Sequence, residues 1–117
     1  MKNTIDERLL EQEMNYLGFR EVTTGTEMLR FAVKHWRPRM MMTKELYPMI
    51  AAEFGTTPAR VERNMRHAIE TAFDRADSLT VKRIFGYSIS WDKGAPTVGE
   101  FVGRMARVCG NEIGLYD

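Results

Sequence analysis

A single cysteine, Cys109, stands among the 117 residues, so the chain can form no internal disulfide. The two histidines, His35 and His67, do not join it in any metal-ligand spacing, and neither a metal nor a cofactor is expected. Long apolar runs are missing as well. The longest, residues 49–52, has four residues, against roughly 20 for a membrane span. Lys2, Asp6, Glu7 and Arg8 precede any apolar stretch, which is unlike a secretory signal. With nine methionines and one unpaired thiol, the chain reads as cytoplasmic. Strand signals are confined to Tyr87-Ser88-Ile89-Ser90-Trp91. No glycine-rich phosphate loop, nucleophile–base pair or carboxylate dyad appears, so an enzyme is not expected. Repeats, low-complexity tracts and inter-domain linkers are also absent, and residues 1–117 read as one domain.

What remains is an ordinary globular balance, 44% apolar and 28% charged. The net charge of +1 is unevenly spread. Residues 1–29 carry three basic and six acidic groups, a net of −3. Residues 30–68 carry eight basic and three acidic groups, a net of +5, and residues 69–117 six and seven, a net of −1. A basic block in a near-neutral chain suits a local polyanion site, although a solvated face of mixed charge has the same composition.

The chain is punctuated as six helices. The first spans residues 5–17, with Thr4 as its cap, an Ile5, Leu9, Leu10, Met14, Leu17 stripe, and Gly18 after it. The second spans 26–36, and Pro38 ends it by restricting Arg37. The third opens on Thr43 as N-cap. Pro48 lies too deep for a first-turn proline and implies a kink or a late start. The fourth has the clearest opening, with Thr57 at the cap and Pro58 at the first position, and runs to about Arg75. A short fifth helix covers 78–85, and a loop follows from 87 to 96. Thr97 and Glu100 form a capping box that opens the sixth.

Helices three and four are joined by Gly55-Thr56-Thr57. Ala51, Gly55 and Val61 fall at positions 5, 9 and 15 of a helix-turn-helix unit starting at Tyr47. A small residue at 51 permits close approach, glycine permits a positive φ, and Val61 plugs the angle. Asn64 replaces the apolar residue usual three positions later, which leaves the packing to Met65. Val61, Met65, Ala68, Ile69, Ala72 and Phe73 make one apolar stripe. Opposite it lie Arg60, Arg63 and His67, flanked by Glu62 and Arg66. Arginine can bind guanine through two parallel hydrogen bonds and glutamate can accept from cytosine. Glu62 and Arg66 also have the spacing of a simple helical ion pair. Thr57 and Lys44 complete the candidate DNA-contacting set. Arg104, on the sixth helix outside the basic block, is expected to matter little for stability or recognition.

The stretch Thr56-Thr57-Pro58-Ala59-Arg60-Val61-Glu62-Arg63-Asn64-Met65-Arg66-His67-Ala68-Ile69-Glu70 resembles the recognition helix of the effector-domain family of stage 0 sporulation protein A. Thr43-Lys44-Glu45-Leu46-Tyr47-Pro48, Phe85-Gly86-Tyr87, Pro96-Thr97 and Glu100-Phe101 extend the likeness over most of the chain, least in the first thirty residues. The resemblance implies an all-α domain of six helices. It implies binding to double-stranded promoter boxes of the TGTCGAA type, often by two domains head to tail. Glu62, Arg63 and Arg66 would then face base edges, with Arg60 and His67 at bases or phosphates. Residues 76–89 match the family's surface for the RNA polymerase sigma subunit, with Thr80, Phe85 and Ile89 carried over. Lys82 and Arg83 make this segment more charged than in the family. The phosphoacceptor receiver domain of the family's full-length member has no counterpart in these residues.

Other residues have plainer readings. His35 serves the end of the second helix, and Cys109 is a small core residue on the sixth. Met40-Met41-Met42 reads as packing or as a partner surface, and Trp91 as a cover over the core edge or a dimer contact. Two functions follow. One is a sequence-specific DNA-binding regulator. The other is a protein-interaction module, binding a regulator or sigma subunit without reading DNA itself.

Overall fold

The computed structural model describes residues 4–86 and 94–110. The helices are α1 Glu7–Tyr16, α2 Thr24–His35, α3 Tyr47–Phe54, α4 Pro58–Phe73, α5 Ser78–Phe85 and α6 Val98–Cys109. No strand forms among the described residues, and the all-α, six-helix expectation holds. The alternating Tyr87–Trp91 stretch and most of the loop around it lie outside the described residues.

Three helix starts differ from expectation. Asp6, not Thr4, caps α1, accepting from the Leu9 amide at 3.1 Å. The preceding chain is held extended by the far end of the molecule. Ile5 bridges antiparallel to Gly110, and the Asp6 amide donates to the Cys109 carbonyl at 2.8 Å. The second helix begins two residues early because Thr26 serves in its first turn. Thr23 is the cap, and the two threonines exchange hydrogen bonds at 2.8 and 3.2 Å. Thr43 is no cap at all. It lies in a wide π-helical turn, Met42–Leu46, and the Met41 amide donates to the Glu45 carboxylate at 2.8 Å. Pro48 cannot donate to residue 44 and its ring would crowd that carbonyl. The wide turn absorbs the conflict, and α3 proper starts at Tyr47.

Helices α2 and α6 frame the fold. The former packs on α3, α4 and α6, the latter on α1, α4 and α5 as well. Val61, Met65, Ile69 and Ala72 of α4 are buried, so Met65 does take the packing that Asn64 does not. Asn64 lies instead against α2. Its amide nitrogen lies 4.0 Å from Met28 Sδ, and its backbone carbonyl abuts Gly25 of α2. The rings of Phe19, Phe73, Phe85 and Phe101 stack and edge together at centroid distances of 5.3–6.5 Å. They weld α4, α5 and α6 at the end remote from the turn. Cys109 is buried, and burial pushes its thiol up to about 12, so it is an inert core residue.

The turn itself forms as expected. Gly55 closes α3 in the left-handed region, φ 66° and ψ 41°. Thr57 then caps α4, accepting from the Arg60 amide at 3.3 Å. A β-carbon at Gly55 would meet nothing within 4 Å, so the demand is one of φ alone. Gly55→Asn should therefore be mild, since asparagine tolerates this region, whereas Gly55→Val should cost about 1–2 kcal/mol. Thr57→Ala should cost about 1 kcal/mol. Urea melts check all three, and an unchanged midpoint for Gly55→Val would mean that φ at 55 carries no cost.

Candidate nucleic-acid interface

The distribution of ion pairs decides where free positive charge remains. Arg30 of α2 pairs with Glu11 of α1 through both Nε and Nη2, and also with Glu27 at 3.3 Å. The Arg30 guanidinium holds the Glu11 carboxyl below its ordinary range. Lys34 pairs with Glu7 at 3.0 Å. The acidic first helix thus neutralises the basic second one. Downstream, among the described residues, Arg37, Arg39, Lys44, Arg60 and Arg63 are exposed and make no salt bridge. The excess positive charge of the middle third is therefore concentrated on the helix-turn-helix and the turn that leads into it.

On α4 the expected face is present. Arg60, Arg63, Arg66 and His67 are exposed, while Val61, Met65 and Ile69 face the core. Arg66 Nε donates to Glu62 at 3.1 Å, the ion pair that the spacing allowed. That bond uses one edge of the guanidinium and leaves both terminal nitrogens to the solvent side. Glu62 reaches further. Burial, and then the charge of Glu62, raises the Tyr47 phenol above its ordinary value. Helix α3 packs on α4 here. The Thr57 hydroxyl oxygen accepts the capping bond, which leaves its proton free to donate, and Lys44 is exposed on the wide turn ahead of α3.

His67 has a second neighbourhood. It lines a cleft of about 350 Å³ between α4 and the α1–α2 connection, with Phe19, Thr23, Asn64, Thr71 and Arg75. Arg75 spans that connection, donating to the Gly18 carbonyl at 2.9 Å and to Glu21. His35, by contrast, stays at the end of α2. Its ring stacks on Phe31 at 4.0 Å, and Nδ1 lies 2.8 Å from the Phe31 carbonyl, so that nitrogen carries the proton.

Of the residues carried over for a polymerase contact, two lie in the core. Thr80 and Phe85 are buried, and Ile89 lies outside the described residues. The Thr80 hydroxyl and amide both donate to Asp77, which caps α5. Phe85 belongs to the ring cluster. The exposed apolar residue of this helix is Leu79. Arg83 is not a spare surface charge either. Its two terminal nitrogens hold the carboxylate of Glu13, itself 3% exposed, at 2.7 and 2.8 Å. Arg104 also differs from expectation, because its Nε donates to the Ile84 carbonyl and ties α5 to α6. Sequence spacing could not show these two ties, which join residues far apart in the chain. The available signal was the place of Glu13 on the apolar stripe of α1, one helical turn after Leu9 and Leu10.

Among the described residues no group of three or more His, Cys, Asp or Glu could hold a metal ion. Nor is any described helix long and apolar enough to cross a membrane. Removing Arg83 leaves the Glu13 carboxylate buried without its partner. Arg83→Ala should therefore cost about 2–3 kcal/mol. Glu13→Gln, which removes the buried charge itself, should cost less. The check is the urea midpoint of each variant at pH 7, and equal costs would mean the pair adds nothing beyond packing.

The family model described as the sporulation initiation factor Spo0A C terminal matches residues 10–108. The match takes in every helix but the ends of α1 and α6, and this chain belongs to that family of DNA-binding effector domains.

Proposed function

We propose that this domain reads double-stranded DNA in a sequence-specific way and regulates transcription without catalysis. In this reading α4 lies in the major groove, with its N-terminal half toward the bases. Arg60 and Arg63 carry it. They are exposed and have no carboxylate partner among the described residues, on a helix whose start is fixed by Thr57 and whose angle is set by Gly55. Arg63 sits between Arg60 and His67, opposite the buried stripe, and serves as the main base contact. Arg66, held by Glu62, presents its free edge to a guanine. Glu62 can accept from a cytosine. Thr57, Lys44 and His67 serve the phosphates beside the groove.

The finer points of the proposal follow the resemblance drawn from the sequence. The target is a TGTCGAA-type box, taken by two domains head to tail, in the cytoplasm. A contact with the sigma subunit uses α5, through Leu79 rather than through Thr80 or Phe85, whose side chains serve the core. The Glu62–Arg66 pair favours the second reading, an ion-paired surface for a protein partner. It does not account for Arg60 and Arg63, which have no such partner.

Arg63→Ala should leave the thermal melt unchanged, because the side chain is exposed. Specific affinity should fall by about 1–3 kcal/mol, the value of one bidentate base contact, with relaxed choice at one G·C pair. Lys82→Ala, an exposed lysine of α5 without a salt bridge, is the control and should change neither. The measurement is a titration against a TGTCGAA-type duplex and a scrambled one over a series of salt concentrations. Each phosphate contact contributes roughly 0.9 to the log–log salt slope. Equal losses on both duplexes would make Arg63 a phosphate contact. No loss on either would take α4 out of the interface and favour the protein-partner reading.

A further inference from the structure

We propose that the turn at residues 37–40 is a second DNA contact, in which Arg37 and Arg39 grip phosphates beside the groove that α4 enters. The proposal rests on the DNA-binding reading above. The turn is closed by the Met40 amide, which donates to the Arg37 carbonyl at 3.1 Å. Pro38 fixes one of its two central residues. The other, Arg39, has φ 71°, the one non-glycine residue in the left-handed region among the described residues. Glycine or asparagine would take that conformation at lower cost. The turn does not need an arginine, and the strained position carries a charged arm instead. Strain of this kind is found where a side chain is held for a task.

The ends of the turn are anchored while its arginines are not. Trp36, just before it, is buried, with its ring 3.4 Å from where a β-carbon of Gly103 would stand. The Arg107 guanidinium lies over the same ring at 5.3 Å. Met42, just after it, lies 3.7 Å from the corresponding position at Gly99. Both contacts are with α6, so the turn is stitched down on either side. Arg37 and Arg39 are exposed. Neither makes a salt bridge among the described residues, whereas Arg30 and Lys34 on the adjoining helix are both neutralised. The nearest acidic residue in the chain, Glu45, receives the Met41 amide and makes no ion pair with either arginine. Two free cations on an anchored turn lose little freedom on binding an anion.

The position of the turn selects the anion. It leads directly into the wide turn that carries Lys44, and from there into Tyr47, which feels the charge of Glu62 on α4. In helix-turn-helix docking the first helix crosses the phosphate backbone while the second enters the major groove. Residues that lead into the first helix are thus carried along the backbone strand. A regularly spaced polyanion at that place is DNA phosphate, and contacts of this type add affinity and fix orientation without reading sequence.

The test is the salt dependence of binding by the intact chain. Arg39→Gly relieves the φ demand, so the fold should melt at the same temperature or higher. Its Kd near 0.1 M salt should rise about eightfold on cognate and scrambled duplexes alike, and the log–log salt slope should fall by about 0.9, one phosphate contact. Arg37→Ala should do the same, and the double variant should lose about 1.8 of slope. Arg39→Lys should keep the slope, since it keeps the charge. Arg39→Gln, which retains the β-carbon and loses the charge, should lose it. An unchanged slope in the double variant, with Arg63→Ala still losing specific binding, overturns the second contact and leaves the reading of α4 intact. Failure of the unaltered chain to bind any duplex overturns both.

Discussion

The position of α4 depends on a contact between backbones. At Gly25 of α2 and Gly18 before it, a β-carbon would run into main-chain carbonyls of α4, those of Asn64 and Ala72. Neither carbonyl can move without shifting the helix that carries Arg60 and Arg63. Gly18 also needs its φ of 97°. Helix α4 is thus laid on α2 and the segment before it with main chain against main chain. Rigid seating of this kind sets the angle at which the basic face is presented. Asn64 shows the same constraint from the other side. Its place in the pattern normally takes an apolar side chain, but here its backbone is the packing surface.

Charge is sorted by packing rather than by position in the chain. The carboxylates of α1 reach across to Arg30 and Lys34 of α2, and Glu21 to Arg75 at the end of α4. Those pairs are satisfied at the protein surface and lie away from the turn. Positive charge left over accumulates where no acidic helix is packed, along the turn at 37–40, Lys44 and the first turns of α4. A local field of this sign attracts phosphate and remains sensitive to salt. The two ends of the molecule are consequently different in kind. One is welded by aromatic rings and by the Arg83 pair with the buried Glu13, and the other is open and basic.

The fifth helix illustrates how misleading a charged segment can be when read alone. Lys82 and Arg83 follow one another, yet Arg83 is turned inward to the Glu13 carboxylate and Lys82 stays in solvent. Arg104 reaches back from α6 to the Ile84 carbonyl. Together with Asp77 at its cap, these side chains fasten a helix of eight residues that would be marginal by itself. Leu79 is then the apolar side chain this helix leaves exposed.

The sequence alone determined the helix count, the turn and the exposed basic face of α4. These are local matters. Helical spacing separates Val61, Met65 and Ile69 from Arg60, Arg63 and His67, glycine takes the φ at 55 at the lowest cost, and Thr57 with Pro58 marks a helix start by chemistry within one turn. Only the tertiary structure decided which charges are spent in ion pairs between helices, why α1 begins at Glu7, and that Thr80 and Phe85 face inward. Each of those outcomes depends on a partner distant in the chain: Glu13 for Arg83, Cys109 for Asp6, Phe101 for Phe85. Residue spacing carries no information about such pairs, because what brings them together is the packing of helices whose order in space is set by the whole core.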